Sequence, residues 1–491
     1  MAPTLIITKP EVIEGGMTYF ISLILMTICC TSVRSLTTLA IFYVSYYTHK
    51  NHQEIPAGQA FFMEPIYSFL SLLTVPLSGF LQQKIGLRFT FLISFILIYI
   101  AVLLYLTIDR LFIFFIGIGL FGASVGMTSV GVKVACFFFP GKEGLISGIE
   151  RTFSMSLIYI WYFAGDFIIN NKRGKPDGKG IYDKEVAERA PIFTVIIGLS
   201  CLLGMAIFYG LTFGIKFRPV EERYKAIMAK IAEEQKDTDN VTETEIAKEL
   251  TVEAQSEKKK RELKQIFSSW DFWKIFVISI FIVFTPLLIT CTFKVLGSKS
   301  DIDENVITLQ WTISGVLGSL INPLYGYLYD KIGFRPLFML EGVGLAAGGA
   351  LFVLSLLTKN ALLFSLSLYL NNISVGVYNS CVFPHVVKIF GMEHVMDLFG
   401  VIGLTIGLLG FAASGSQYII TEIINPKSNA LYYIAFAVGI LFEIFCVIMA
   451  AFEKSNKFEY KNDYYMKEHL VDSKLFKEPI DESPVPPPTA N

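Results

Sequence analysis

An ionised side chain inside a long apolar stretch is costly in a bilayer and is a candidate for function by default. Arg34 is the first such residue, in an apolar stretch running from 17 to 46 and set too deep for its head to reach water easily. A guanidinium there could grip a substrate carboxylate or serve as counter-charge to a buried acid. Lys133 and Arg151 lie nearer the ends of their stretches, where a long stem can lie along apolar surface while its head is solvated. Glu150 and Arg151 are adjacent and on a helix point about 100° apart, so Glu150 is expected to pair with Lys133. Lys294 and Asp166 stand near outer ends and are expected to be solvated. Glu341, Asp397 and Glu443 are carboxyls in apolar settings, where burial favours the neutral form and a proton can be carried. His385 could do the same, or simply be satisfied by hydrogen bonds near a helix end.

The stretch Tyr369-Leu-Asn-Asn-Ile-Ser-Val-Gly-Val-Tyr-Asn379 places Asn372, Gly376 and Asn379 on one side of a helix. A cavity-lining face is the expectation, with interhelical hydrogen bonding the alternative. Gln310 and Asn322 stand on another stretch, about 120° apart in helical projection. No enzyme chemistry is legible beside these residues. The seven cysteines lie inside apolar stretches without metal-ligand spacing and read as small buried apolar side chains. No metal or cofactor site and no ATP motif of the form GxxxxGK[ST] is found, and a net charge of −1 gives no reason to expect nucleic acid.

The elements that must position these groups follow from composition. Among 491 residues 53% are hydrophobic and only 17% charged, with a mean hydropathy of +0.55; an ordinary soluble chain carries about 25% charged residues. The charge is concentrated in 171–190, 217–270 and 453–491. The rest divides into apolar runs near 17–46, 59–82, 89–108, 111–138, 145–170 and 191–216, then 271–297, 305–328, 335–357, 361–388, 392–421 and 428–452. About 20 apolar residues cross a bilayer as a helix, so the expectation is an all-α polytopic membrane protein with two six-helix bundles, 17–216 and 271–452. An N-terminal segment 1–16, a charged central loop 217–270 and a polar, proline-rich tail 453–491 complete the chain. The N-terminus has neither signal-peptide nor transit-peptide character. An even span count puts both termini and the central loop on one side, whose joints carry Lys84, Arg88, Lys142, Lys331, Arg335 and Lys388. The positive-inside rule makes that side cytoplasmic or its organellar equivalent. The opposite joint 171–190, with Lys172, Arg173, Lys175, Lys179, Lys184 and Arg189, points the other way, diluted by four acids. In the central loop, Thr242 and Glu245 stand at capping-box spacing ahead of a surface helix through Leu250, Leu263 and Ile266. That helix and the tail are the places where a membrane-complex partner could dock.

The two halves repeat. GFLQQKIGLRFTF from Gly79 matches GYLYDKIGFRPLF from Gly326, aligning Gly79 with Gly326, Lys84 with Lys331, Gly86 with Gly333 and Arg88 with Arg335. Ser124-Val-Gly126 likewise matches Ser374-Val-Gly376, and Gly141 and Glu143 match Gly391 and Glu393. Repeated halves in one polytopic chain suit a carrier that rocks one bundle against the other. Gly79 and Gly326 allow close helix approach, and Gly86 and Gly333 a tight turn. Asp330 is placed to accept hydrogen bonds from a helix N-terminus, the expected recipient being the eleventh span near Gly391. Gln83 holds the equivalent place without charge and should latch more weakly.

Six plus six spans with GxLxDxxGxR-like joints resembles the major facilitator superfamily over roughly residues 17–452. Phe139-Pro-Gly-Lys-Glu-Gly-Leu-Ile-Ser-Gly148 resembles the loop of the oxalate/formate antiporter branch and its monocarboxylate-transporter relatives. Phe61-Phe-Met-Glu-Pro65 and Val382-Phe-Pro384 through Phe390-Gly391 are similar to that branch as well. The resemblance implies a cavity lined by the first, fourth, seventh and tenth spans. The branch carries an Arg directly before a Pro in the eighth span; here Asn322 takes that place, and an amide cannot pair ionically with a carboxylate. The eleventh span offers Asp397 and Gln417 and no cation.

The resulting expectation is a secondary carrier for a small organic anion, monocarboxylate before dicarboxylate, driven by exchange or by protons. Arg34, unpaired, would hold the carboxylate, with Asn322, Asn372 and Asn379 holding the remainder and Lys133 and Arg151 as further cations. The alternatives are a carrier-derived structural subunit that no longer transports, and an amino-acid or neutral-solute carrier. A chamber plugged by apolar side chains, with Arg34 tied to a neighbouring acid or facing headgroups, would count against the carrier reading itself.

Overall fold

The computed structural model describes residues 13–452 apart from 53–54, 108–109, 141, 172–173, 175–180, 218–219, 221–222, 225–251, 300–301 and 420–429. The tail 453–491, the capping box at Thr242 and Glu245, and Gly141 lie outside the described residues. Helices account for nearly all of what is described, and no strand occurs among those residues. Among the described residues eleven helices are long and apolar enough to cross a membrane. The eighth span is the twelfth crossing, broken at Ile321 into Glu304–Leu320 and Asn322–Ile332. Pro323, in the first turn of the second piece, has no N–H to continue the ladder, so each piece alone is short of a crossing. The first span is also interrupted, as Gly16–Cys30, Arg34–Thr38 and Ala40–Asn51, and the seventh as Trp270–Phe281 and Phe284–Lys299. The remaining spans are Met63–Ile85, Leu87–Thr107, Leu111–Thr128 with Val130–Phe138, Glu143–Ile169, Ala190–Thr212, Phe334–Thr358, Ala361–Phe390, Val395–Tyr418 and Ala430–Ala451. The chain is an integral, multi-pass membrane protein.

The repeat in sequence is a repeat in packing. Ser124 faces the third span, its hydroxyl 2.8 Å from that of Ser94, and Gly126 lies against the Ser71 backbone of the second. Their counterparts do the same one half later: Ser374 abuts Gly344 of the ninth span, and Gly376 abuts Asn322 and Tyr325 of the eighth. Small residues let backbones approach without lipid between them. The halves meet along two seams of the same kind. On one, Gly400, Gly403 and Gly407 of the eleventh span pack on Pro76, Leu72 and Phe69 of the second. On the other, Gly144 and Gly148 of the fifth span pack on the Gly326 and Asn322 backbones of the eighth.

The joints show what their conserved spacing in the two halves does. Gly86 and Gly333 end helices at φ +85° and +80°, where an L side chain is strained. Gly79 is a contact residue: a Cβ there would stand 2.9 Å from Met396 of the eleventh span. Arg88 reaches the open carbonyls at the end of the sixth span, donating to Thr212 at 2.7 Å and Ile215 at 3.1 Å, with a contact to Phe213 O as well. Four carbonyls at a helix C-terminus lack intrahelical donors, and a cation is favoured there. Arg335, its counterpart, is exposed and has no such partner among the described residues. Asp330 corrects an expectation: its carboxylate accepts from Leu145 N–H at 3.2 Å, in the first turn of the fifth span rather than the eleventh. The reason is the seam pairing, in which the eighth span packs on the fifth and the second on the eleventh. Gln83 is exposed. The expected surface helix of the central loop occupies Val252–Phe267 and docks on the chain's own eleventh span, through Lys259 to Asp397 at 2.7 Å and Glu262 to His394 at 2.9 Å.

Candidate functional site

Arg34 sits near the middle of a first span about 50 Å long at 1.5 Å per residue, deeper than its sequence position suggests. Its side chain is nevertheless 33% accessible, so it is not sealed among packed side chains. The expectation of an unpaired cation is corrected here. Nε and Nη2 both donate to Glu64 Oε1, at 3.1 and 2.7 Å. Ser68 donates to the same oxygen at 3.0 Å, and Thr37 to Glu64 Oε2. The physical reason is the cost of an isolated guanidinium in the interior, met by an acid at the first turn of the second span. Nη1 makes no hydrogen bond among the described residues, so one edge of the guanidinium remains open. Glu64 is the residue that sequence reasoning missed. It was visible as an ionisable group at the start of an apolar stretch, beside Pro65.

The pair is flanked by Tyr67 and Tyr159, both close enough to act on Arg34 electrostatically. Tyr159, on the fifth span, crosses to the other half: its hydroxyl donates to Asn372 Oδ1 at 3.2 Å. Asn372 Nδ2 in turn donates to Ser314 on the eighth span at 2.9 Å. Gly315 makes room for the Tyr159 ring, which meets Trp311 edge-on at 5.7 Å, and Trp311 stacks on Phe293 at 4.2 Å. Tyr369 donates to Gln310 at 3.1 Å. The site is therefore a charge-neutral ion pair with hydroxyls, amides and aromatic faces beside it.

The other sequence candidates distribute unevenly. Asn372 is buried and spends both ends of its amide between helices, so the alternative to a cavity-lining role is the one observed. Asn379 is half-buried. Asn322 is fully enclosed between Gly148 and Gly376, with its Oδ1 lacking a hydrogen bond, and belongs to the seam between halves. Lys133 is buried with its ammonium 5.9 Å from the Phe137 ring. Glu150 pairs with its neighbour Arg151 at 3.7 Å, not with Lys133; the long Arg151 stem folds back across the angle that separates adjacent helical positions. Lys294 and Asp166 are not merely solvated: they pair at 3.8 Å across the two halves, with Lys294 also over the Phe42 ring at 5.3 Å. Asp397 is drawn out of the set of buried acids by Lys259. His385 is enclosed, stacked on Phe334 at 3.7 Å, with Nδ1 3.2 Å from the Tyr329 hydroxyl. Among the described residues no group of three or more His, Cys, Asp or Glu could hold a metal ion.

The halves thus touch at both ends, through Asp330 and Leu145 at the joint end and Lys294 and Asp166 at the other, with the Arg34–Glu64 pair between. Comparison with known proteins agrees with this layout. No curated protein matches the chain in sequence. The proton:xylose symporter XylE bound to 6-bromo-6-deoxy-D-glucose has a similar structure, with a TM-score of 0.61 at 15% identity, covering 88% of this chain and 95% of its own. The xylose transporter XylE from E. coli in a partially occluded inward-open conformation gives a TM-score of 0.57 at 14% identity, over 87% and 98%. The family profile described as Major Facilitator Superfamily matches residues 23–415. With that match spanning most of its length, the chain belongs to the major facilitator superfamily of membrane transporters.

Proposed function

We propose that this chain is an alternating-access carrier for a small polar solute without net charge, an amino acid being the class that suits the site best. The observation that supports it is the Arg34–Glu64 pair in mid-span, one third accessible at its cation. A site that already balances its own charge gains little from a lone anion. A zwitterion can present a carboxylate to the open Nη1 edge and an ammonium to Glu64, so each charge meets its opposite. Tyr67 and Tyr159 supply polar contacts beside the pair. The bundles 17–216 and 271–452 rock about this layer, the repeated joints (Gly79, Gly86, Arg88, Gly326, Asp330, Gly333, Arg335) governing the end that faces the cytoplasm. Exchange or a proton gradient supplies the energy.

A monocarboxylate is the second reading, favoured by one observation: Nη1 of Arg34 has no partner among the described residues. In that case the substrate competes with Glu64 for the guanidinium. Uptake by purified protein in liposomes, screened against amino acids, monocarboxylates and sugars with and without a pH gradient, separates the two. The expected result is amino-acid uptake abolished in Arg34→Gln and Glu64→Gln alike. Uptake of monocarboxylates alone, retained in Glu64→Gln, favours the second reading. Transport unchanged in both variants removes the pair from the site.

A further inference from the structure

The second half contains two acids that none of the preceding chemistry uses. Glu341 of the ninth span and Glu443 of the twelfth are both wholly enclosed, at 0% accessibility. They stand near enough to act on each other electrostatically. Glu341 Oε1 accepts from the Tyr378 backbone N–H at 3.1 Å, while its Oε2 has no donor. Neither oxygen of Glu443 has a donor of normal geometry, the nearest being the hydroxyl and backbone N–H of Thr285. Thr285 lies beside Glu443, in the first turn of the second piece of the seventh span, but its hydroxyl is itself without a hydrogen bond of normal geometry. Gly342 lets the ninth span close on the twelfth, where an added Cβ would stand 3.2 Å from the Glu443 carbonyl oxygen. Gly439 does the same for Thr285, at 2.6 Å.

Among the described residues no cation balances these carboxyls. The titratable groups that act on them from the surrounding helices are Tyr325 of the eighth span, Tyr378 and Cys381 of the tenth and Cys446 of the twelfth. All of these are neutral or would themselves become anions. Taking one unpaired carboxylate out of water costs several kcal/mol even after relaxation, and two side by side cost more. The ledger of oxygens is short of donors, and a carboxylic acid supplies one O–H of its own. We propose that Glu341 and Glu443 form a proton-binding site, holding at least one proton between them at neutral pH, in the second half and apart from the Arg34–Glu64 layer. A proton fits better than a metal ion because the fixed groups at the site include a peptide N–H and the start of a helix, both of which repel a cation. The break in the seventh span at Ile282 and Val283 gives the state of the pair a mechanical outlet. Thr285, beside Glu443, stands just past that break, so loss of the proton presses on the piece that carries Lys294 and its contact with Asp166. The site is independent of which solute is carried.

The test is infrared spectroscopy of the full-length protein in lipid vesicles, comparing wild type with Glu341→Gln, Glu443→Gln and the double variant at neutral pH. The expected difference spectra contain a protonated-carboxyl C=O band that the double variant lacks and that is titrated away at alkaline pH. Difference spectra containing only ionised-carboxylate bands overturn the proposal. So does a carboxylate band that moves on adding sodium or potassium ions, since the site would then be a cation site. Should either Gln variant fail to fold, Glu443→Asp keeps a carboxyl and is expected to shift the band, and the alkaline titration of wild type alone still decides the outcome.

Discussion

Replacing Glu64 with Gln keeps the shape of the Arg34 partner and removes its charge. Arg34 then keeps at most neutral acceptors for the two donors now 2.7 and 3.1 Å from Oε1. A charge-assisted hydrogen bond is about twice as strong as a neutral one, and breaking a fully buried pair costs about 3–5 kcal/mol. Arg34 is 33% accessible and Glu64 14%, so solvent screens part of that loss; about 1–3 kcal/mol is expected. For a bundle of this size that corresponds to a fall of roughly 2–10 °C in apparent melting temperature. The decisive form is a double-mutant cycle with Arg34→Gln, read from thermal unfolding of purified protein in detergent. Removing both charges together should cost less than the sum of the single losses, with a coupling of about 1–3 kcal/mol. Additive losses would refute the pairing argument and return Arg34 to the role of a free cation.

The repeated arginines should behave differently: Arg88→Ala is expected to lower stability by about 1–2 kcal/mol through the uncapped carbonyls of the sixth span, while Arg335→Ala stays within about 0.5 kcal/mol. Equal losses in thermal unfolding would contradict the asymmetry. Asp330→Asn keeps an acceptor for Leu145 and removes the charge facing a helix start, worth about 0.3–1 kcal/mol. Alkylation of a cysteine introduced at the joint end should accordingly quicken by about two- to fivefold, and an unchanged rate would show that no latch exists. Gly86→Ala and Gly333→Ala each force an L residue to positive φ and should cost about 1 kcal/mol; stability equal to wild type would mean that the turn re-forms another way.

Apolar run length and the spacing of the repeat were enough for twelve crossings, two halves and the joints, because a span must satisfy its backbone locally and a repeated glycine marks a repeated turn. What depended on which helix meets which across the halves was not legible. Asp330 had a helix start to bind, but its choice of the fifth span over the eleventh follows from the seams between bundles. Asn372 reads as a polar face, yet only the approach of Tyr159 and Ser314 decides that this face is used up between helices. Glu64 stands in plain view beside Pro65, and a deep guanidinium such as Arg34 itself announces an acid nearby, but only the packed first and second spans show that the two meet. Glu341 and Glu443 stand 102 residues apart in the chain, and nothing short of the packed ninth and twelfth spans brings them together.

The unequal fate of Arg88 and Arg335 bears on how the molecule divides labour between its halves. By bonding past the end of the sixth span to Ile215, Arg88 staples the first bundle to the start of the segment that leaves it. Among the described residues Arg335 makes no such staple in the second bundle. A movement of the first bundle is therefore expected to pass directly into the segment that leaves it at Ile215.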